Sequence, residues 1–155
     1  MLNFTVDLAS EKQTITMARD LAKCLTPPLL ITFCGEIGAG KTTFVRAMLQ
    51  ALGVQGAIKS PTFSIVESYS VSDWQFHHFD LYRLNDEMEL DYIGFRDYFT
   101  PHTICCIEWP ERAGRYLEKT DIAITLSGSG LERKIQCSAG SGAGRAILQR
   151  LKREL

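Results

Sequence analysis

The residues best equipped for chemistry lie in one short run, "FCGEIGAGKTTF", Phe33 to Phe44. Gly35, four further residues, then Gly40, Lys41 and Thr42 fit the pattern GxxxxGK[ST]. Gly35, Gly38 and Gly40 let the backbone curl until successive N–H groups point inward, and the helix that follows adds its dipole to the attraction. Anionic oxygens are what such a concavity favours. Lys41 is expected to bridge the β- and γ-phosphates of a nucleotide, and the Thr42 hydroxyl to ligate Mg2+. Thr43 offers a second hydroxyl near the α-phosphate, or is simply a residue of the helix surface.

Mg2+ keeps several waters and takes one or two carboxylates beside the phosphates, so acids at strand ends are the next requirement. "FHHFD" ends in Asp80 and "ICCIE" ends in Glu108, each after a run that suits a buried strand. The second run is the more apolar, which makes Glu108 the first choice for the metal or a metal-bound water. Asp80 is then either a second metal ligand or the group that orients the attacking water. Either acid taken alone also fits a helix cap or a solvated strand end. His77 and His78 alternate faces of one strand, so a metal site from the pair is not expected; packing with a hydrogen bond is. Pro61 disfavours helix at Ser60 and places Thr62 on a shaped loop entering a strand, where its hydroxyl either senses a γ-phosphate or belongs to an ordinary turn. The later cluster "AGSGAGR" has no lysine or hydroxyl in the right place and reads as the loop before the last helix.

These residues need elements to position them. "LNFTVDL" reads as a strand, and Ser10 with Gln13 in capping-box spacing opens a helix that Pro27 and Pro28 stop. "LLITFC", at 29 to 34, is a short apolar run of the kind buried in a parallel sheet, and it runs straight into the glycine loop. A helix follows from Thr42, with Gly53 as its stop. "FSIVESYSV" and "WQFHHF" are expected as a hairpin joined near Ser72 and Asp73, "DEMELDYIGFRDYF" as a helix, and "TICCIEW" as a second buried strand. Pro110 and Glu111 suit a further short helix, "DIAITLS" and "LERKIQCS" are strands around "GSG", and a last helix covers 143 to 153. The order predicts one domain over 1–155, an α/β three-layer sandwich of the P-loop NTPase kind, with a largely parallel central sheet and a strand hairpin.

Composition narrows the function. The 155 residues allow one domain able to bury roughly two thirds of its unfolded surface. A balance of 17 basic against 18 acidic residues argues against gripping nucleic acid by charge alone, so any RNA connection is indirect. Basic residues in "RAILQRLKREL" suit the end of a last helix. Five cysteines without CxxC, mostly inside apolar runs, are used as buried thiols are in a reducing compartment. The N-terminus lacks a secretory pattern and no apolar run reaches membrane-spanning length, so a cytoplasmic protein is expected.

Among phosphate-loop proteins, a small GTPase should carry NKxD, which is absent. "DYIG", at Asp91 to Gly94, fits DxxG but lies inside an amphipathic stretch. A small-molecule kinase stays open; it would need an arginine-bearing lid, for which "ERAGR" with Arg112 and Arg115 is the candidate. So does a module in which ATP only sets the shape of the 60 to 70 segment.

"GEIGAGKTTF", "KSPTFSIVE", "HFDLYRL", "FRDYF" and "IEWPE" stand in the order and spacing of the bacterial TsaE family, also called YjeE, and the resemblance covers roughly residues 10 to 135. The family loop more often reads Gly-Asp-Leu-Gly where this chain has Gly35, Glu36, Ile37 and Gly38. The resemblance implies an ATPase that works with TsaB and TsaD, the proteins that attach a threonylcarbamoyl group to the adenosine beside the tRNA anticodon. It would support their turnover without making the transfer itself, and would meet tRNA only through the complex. Carried over by position, the family's nucleotide loop falls on Glu36, Ile37, Gly38, Ala39, Gly40, Lys41, Thr42 and Thr43. Its metal ligands fall on Thr42 and Glu108, its catalytic aspartate on Asp80, and Thr62 lies in its switch-like segment. The same comparison sets Glu11 and Arg133 near the base or ribose and Trp109 near the nucleotide.

Overall fold

Ser10 caps a helix over Glu11–Cys24 (α1), its hydroxyl accepting the Gln13 amide at 3.2 Å. The Gln13 side chain reaches back to the Ala9 amide at 2.7 Å, so the capping box closes one residue earlier than the standard pattern. This computed structural model describes residues 2–117, 119–128 and 130–155. Ahead of α1 lies β1 (Asn3–Leu8), and after it come β2 (Leu29–Cys34), α2 (Lys41–Ala51), β3 (Val66–Val71) and β4 (Trp74–Asp80). Next are α3 (Glu89–Tyr92), a 3-10 turn over Phe95–Tyr98, β5 (Thr103–Glu108) and a kinked 3-10 stretch over Pro110–Tyr116. β6 (Ile122–Ser127), β7 (Arg133–Ala139) and α4 (Gly142–Glu154) complete the chain.

The seven strands form one sheet in the order β1-β7-β6-β2-β5-β4-β3. Its centre, β6-β2-β5-β4, is parallel, and antiparallel pairs close both flanks. The chain moves to one side of β2 for β3, β4 and β5 and to the other for β6 and β7. β2 is therefore the point at which strand order reverses, the place where open α/β sheets bind ligands beyond their carboxyl ends.

Helices α1, α2 and α4 cover one face, burying Met17, Leu21, Phe44, Met48, Leu148 and Leu151 against Phe33, Phe76, Ile124 and Ile135. The opposite face is covered only over the β2, β5 and β4 half, where Phe79, Cys105 and Ile107 pack under Leu84, Leu90 and Phe95. On the other half, Thr125, Ser127, Lys134 and Gln136 stay exposed. That half is two layers thick.

Two expected elements differ. The strand expected from Phe63 starts only at Val66, because 61–64 form a turn closed by the Ile65 N–H on the Pro61 carbonyl at 2.8 Å. The helix expected over "DEMELDYIGFRDYF" is two short pieces, because Gly94 (φ 68°) turns left-handed and ends α3 before the 3-10 turn begins. Gly53 does stop α2: its N–H and that of Val54 bond the Gln50 and Leu49 carbonyls, the Schellman arrangement. Of the "GSG" loop, Ser129 lies outside the described residues. Among the described residues no helix is long and apolar enough to cross a membrane.

Candidate active site

The site starts where β2 gives out. Gly35 has φ 148°, and a Cβ there would sit 2.4 Å from the Leu126 carbonyl oxygen on β6, so the loop leaves the sheet through a gap that only glycine fits. Gly38 (φ 82°) and Gly40 (φ 104°) continue the curl into α2, which begins at Lys41 itself. Lys41 is buried. Its ammonium donates to the Gly35 and Glu36 carbonyls, the latter at 3.0 Å, and lies 4.4 Å from the centre of the Trp109 ring. Trp109, left-handed at φ 57°, sits just past the end of β5, and its ring meets that of Tyr82 at 4.9 Å.

Parallel pairing of β4 with β5 sets Asp80 directly beside Glu108. Strand alternation turns both toward the α2 face, along with His78. The Thr42 hydroxyl lies 3.1 Å and 3.0 Å from the two Glu108 carboxylate oxygens. His78 Nε2 lies 2.6 Å from Glu108 Oε2, a hydrogen bond between imidazole and carboxylate. Asp80 accepts the Tyr82 N–H at 3.1 Å and a long hydrogen bond from the Thr62 hydroxyl at 3.5 Å, and Thr62 in turn meets Ser60 Oγ at 2.7 Å. Burial pushes the Asp80 carboxyl above the usual range; the Tyr82 N–H opposes this and the Glu108 charge adds to it.

A cleft of about 380 Å3 opens here, lined by Ile37, Gly38, Gly40, Lys41, Thr42 and Thr43 on one side and by Thr62, Asp80, Glu108 and Trp109 on the other. A smaller recess of about 120 Å3 lies across the loop, between Glu11, Thr14, Ala39, Thr43 and Arg133. Thr43 reaches both. Most of the site residues expected from the sequence fall in these two compartments, which Thr14, Tyr82, Arg83, Gly130 and Leu131 also line. Arg133 does more than line the recess: it donates to the Ala39 carbonyl at 2.9 Å and the Gly38 carbonyl at 3.3 Å, gripping the loop from β7. Arg112 and Arg115 are engaged elsewhere, on the Leu84 carbonyl and the Glu87 carboxylate, which does not favour a kinase lid. Tyr82 and Arg83 were not singled out from the sequence, while the hydrogen bond expected of the histidine pair is made by His77 to Ser68 and by His78 to Glu108. His78 stands two residues before Asp80 on a strand, and that spacing alone puts both on one face.

The donor set fits Mg2+. A hydroxyl and two carboxylates are hard oxygen ligands, and among the described residues no three His, Cys, Asp or Glu side chains gather to cage a metal by themselves. A cation here would share Thr42 and the acids with phosphate oxygens and water, as Mg2+ does beside nucleotides. The five cysteines are free, and burial pushes the Cys105 and Cys137 thiols up to about 12.

A sheet parallel at its centre, a glycine loop leaving its pivotal strand and a helix starting at the loop's lysine define an α/β protein of the P-loop-like fold. YdiB of Bacillus subtilis, whose crystal structure superposes at a TM-score of 0.83 over 99% of this chain and 96% of its own, shares that fold at 24% identity. The chain belongs to the TsaE family: the model for "Threonylcarbamoyl adenosine biosynthesis protein TsaE" matches residues 8–135. The TsaE protein of Haemophilus influenzae, described as a tRNA threonylcarbamoyladenosine biosynthesis protein, is 42% identical over 77% of this chain and 76% of its own. Its counterpart from Bacillus subtilis is 30% identical over 92% of this chain and 89% of its own.

Proposed function

We propose that this protein is a Mg2+-dependent ATPase of tRNA threonylcarbamoyladenosine biosynthesis, acting in the cytoplasm with TsaB and TsaD and without catalysing the threonylcarbamoyl transfer. The observation that carries the reading is the meeting of Thr42, the first hydroxyl of α2, with Glu108 at 3.0 Å and Asp80 alongside. The amides of residues 36 to 43 and the Lys41 ammonium would take the triphosphate. Lys41 must then exchange the Gly35 and Glu36 carbonyls for phosphate oxygens. Thr42 and Glu108 would hold the metal, which when bound supplies charge neutralisation across the phosphates. Asp80 faces the same space and would orient a water, and Thr62, bonded to it, ties that position to the 60–65 turn. Glu11 and Arg133 border the recess where the nucleoside end would lie.

Phosphate release is expected to be slow for the protein alone and faster with TsaB and TsaD. Lys41→Ala and Glu108→Ala are each expected to lower the stimulated rate by at least about a hundredfold, the scale of losing one charge-stabilising group. Normal stimulated turnover in Lys41→Ala would overturn the proposal. Phosphate arriving on an added metabolite instead of in solution would replace it with a kinase.

A further inference from the structure

We infer that His78 is a positioning residue for the metal: it holds Glu108 by one carboxylate oxygen so that the other is presented to the cation beside Thr42. This rests on the metal reading of Glu108 proposed above. His78 and Glu108 are both almost fully buried, at 1% and 2% exposure, and meet at 2.6 Å through Nε2 and Oε2. Among the described residues the other ring nitrogen, Nδ1, is buried without a hydrogen-bond partner. A buried polar atom left unpaired costs free energy, so a histidine kept only for packing would be a poor choice here. The single polar contact it does make is to the carboxylate.

The consequence for Glu108 is geometric. Its side chain has three rotatable bonds, and besides His78 the only hydrogen-bond partner it has among the described residues is the Thr42 hydroxyl. With Oε2 held by His78 at 2.6 Å, Oε1 meets only the Thr42 hydroxyl among the described residues, at 3.1 Å, and is the oxygen left for a cation. The Thr42 hydroxyl can give its hydrogen to the carboxylate and would keep a lone pair for the cation. Partners that orient a ligand in this way change metal affinity by about 10–100-fold when lost. His77, its neighbour on β4, points to the opposite face and bonds Ser68, so the role belongs to one histidine of the pair.

The test uses Mn2+ as a spectroscopic stand-in for Mg2+, titrated into the protein with ADP and read by electron paramagnetic resonance. His78→Phe keeps the ring volume and removes the donor; His78→Gln returns an N–H near the Nε2 position. His78→Phe is expected to weaken Mn2+ binding about 10–100-fold, with ADP affinity in EDTA unchanged, and His78→Gln to recover most of the loss. Unchanged Mn2+ affinity in His78→Phe, even with a lower melting temperature, overturns the inference and leaves a structural histidine. Should His78→Phe not fold, His78→Gln is compared with His78→Asn, whose shorter amide matches Nδ1 and cannot reach Glu108; equal Mn2+ affinity overturns the inference equally. Glu108→Gln separates the two readings. If it leaves Mn2+ binding untouched, the metal reading itself fails; if it weakens binding while His78→Phe does not, only the positioning role fails.

Discussion

The two halves of the sheet are built by different rules. β1, β7 and β6 alternate strictly, with Ile122, Ile124, Leu126, Ile135 and Cys137 buried under the helices and Thr5, Thr125, Lys134 and Gln136 in solvent. β5 is buried at every residue, and β4 from Phe76 to Asp80, so the polar groups there need protein partners: His78 meets Glu108, and Asp80 takes the Tyr82 N–H and the Thr62 hydroxyl. A half-solvated antiparallel region tolerates polar residues cheaply, whereas a parallel centre covered on both faces admits them only where they are paired or used. Buried polar residues in the second half are therefore informative, and exposed ones in the first are not.

The halves meet at the phosphate loop, and breaking that junction gives the largest effect expected. Gly35→Ala would drive a methyl group to 2.4 Å from the Leu126 carbonyl of β6, a backbone atom that cannot rotate aside. Thermal denaturation is expected to show a loss of about 1–3 kcal/mol, together with weakened nucleotide binding as the loop shifts. Gly38→Ala is the control. Its φ of 82° brings strain of about 1–2 kcal/mol, but a Cβ there meets nothing within 4 Å. Equal nucleotide affinity in the two variants would show that the loop does not depend on its seat against β6.

Among the described residues Arg133 is the charged group of the alternating half that bonds the loop. Its guanidinium donates to the Ala39, Gly38, Gly130 and Glu132 carbonyls, which makes it a clamp on backbone. Arg133→Met keeps the apolar stem and removes the donors. Nucleotide affinity is expected to fall about 3–10-fold, the scale of one net hydrogen bond, with the rate at saturating ATP changed by less than about twofold. Inorganic triphosphate discriminates further. A clamp predicts that its binding weakens alongside that of ATP, while a contact to the base or ribose predicts a loss for ATP alone.

What the sequence disclosed follows the same division. Lys41, Thr42 and Glu108 were legible because each sits at a break in pattern: glycines next to an apolar run, and an acid closing another. The alternating strands were legible because one face of each stays wet. His78 was legible only as a packed, hydrogen-bonded histidine: its spacing from Asp80 puts the two on one face, but its partner Glu108 follows from the β4–β5 register. The clamp by Arg133 was hidden because its loop partners stand 94 and 95 residues away in the chain. The failed helix over 86–99 has a local cause in Gly94, whose left-handed backbone outweighed the amphipathic spacing around it. Asp91 then spends its carboxylate on the Tyr116 hydroxyl at 2.6 Å, which fixes "DYIG" as a structural corner.

The smallest effect sharpens the contrast within β4 itself. His77 and His78 are chain neighbours, yet His77 faces the layer of Tyr98, whose ring meets it edge-on at 4.8 Å, and bonds Ser68 Oγ at 2.7 Å. Burial pushes its imidazole below the ordinary value, so folding favours the neutral ring. The unfolded chain, titrating near pH 6.5, binds a proton first as pH falls. Stability from His77 is accordingly complete above that pH and is lost progressively below it. Asp73, Asp97 and His102 border the same surface recess, so the comparison must be between variants at each pH. His77→Gln should flatten the decline in Tm between about pH 7 and pH 5 without altering Mn2+ affinity, since its side chain lies on the face of the sheet away from Glu108. A loss of Mn2+ binding in His77→Gln as large as that in His78→Phe would mean that the two faces of β4 are not independent, and that the metal end of the sheet responds to its packing as a whole.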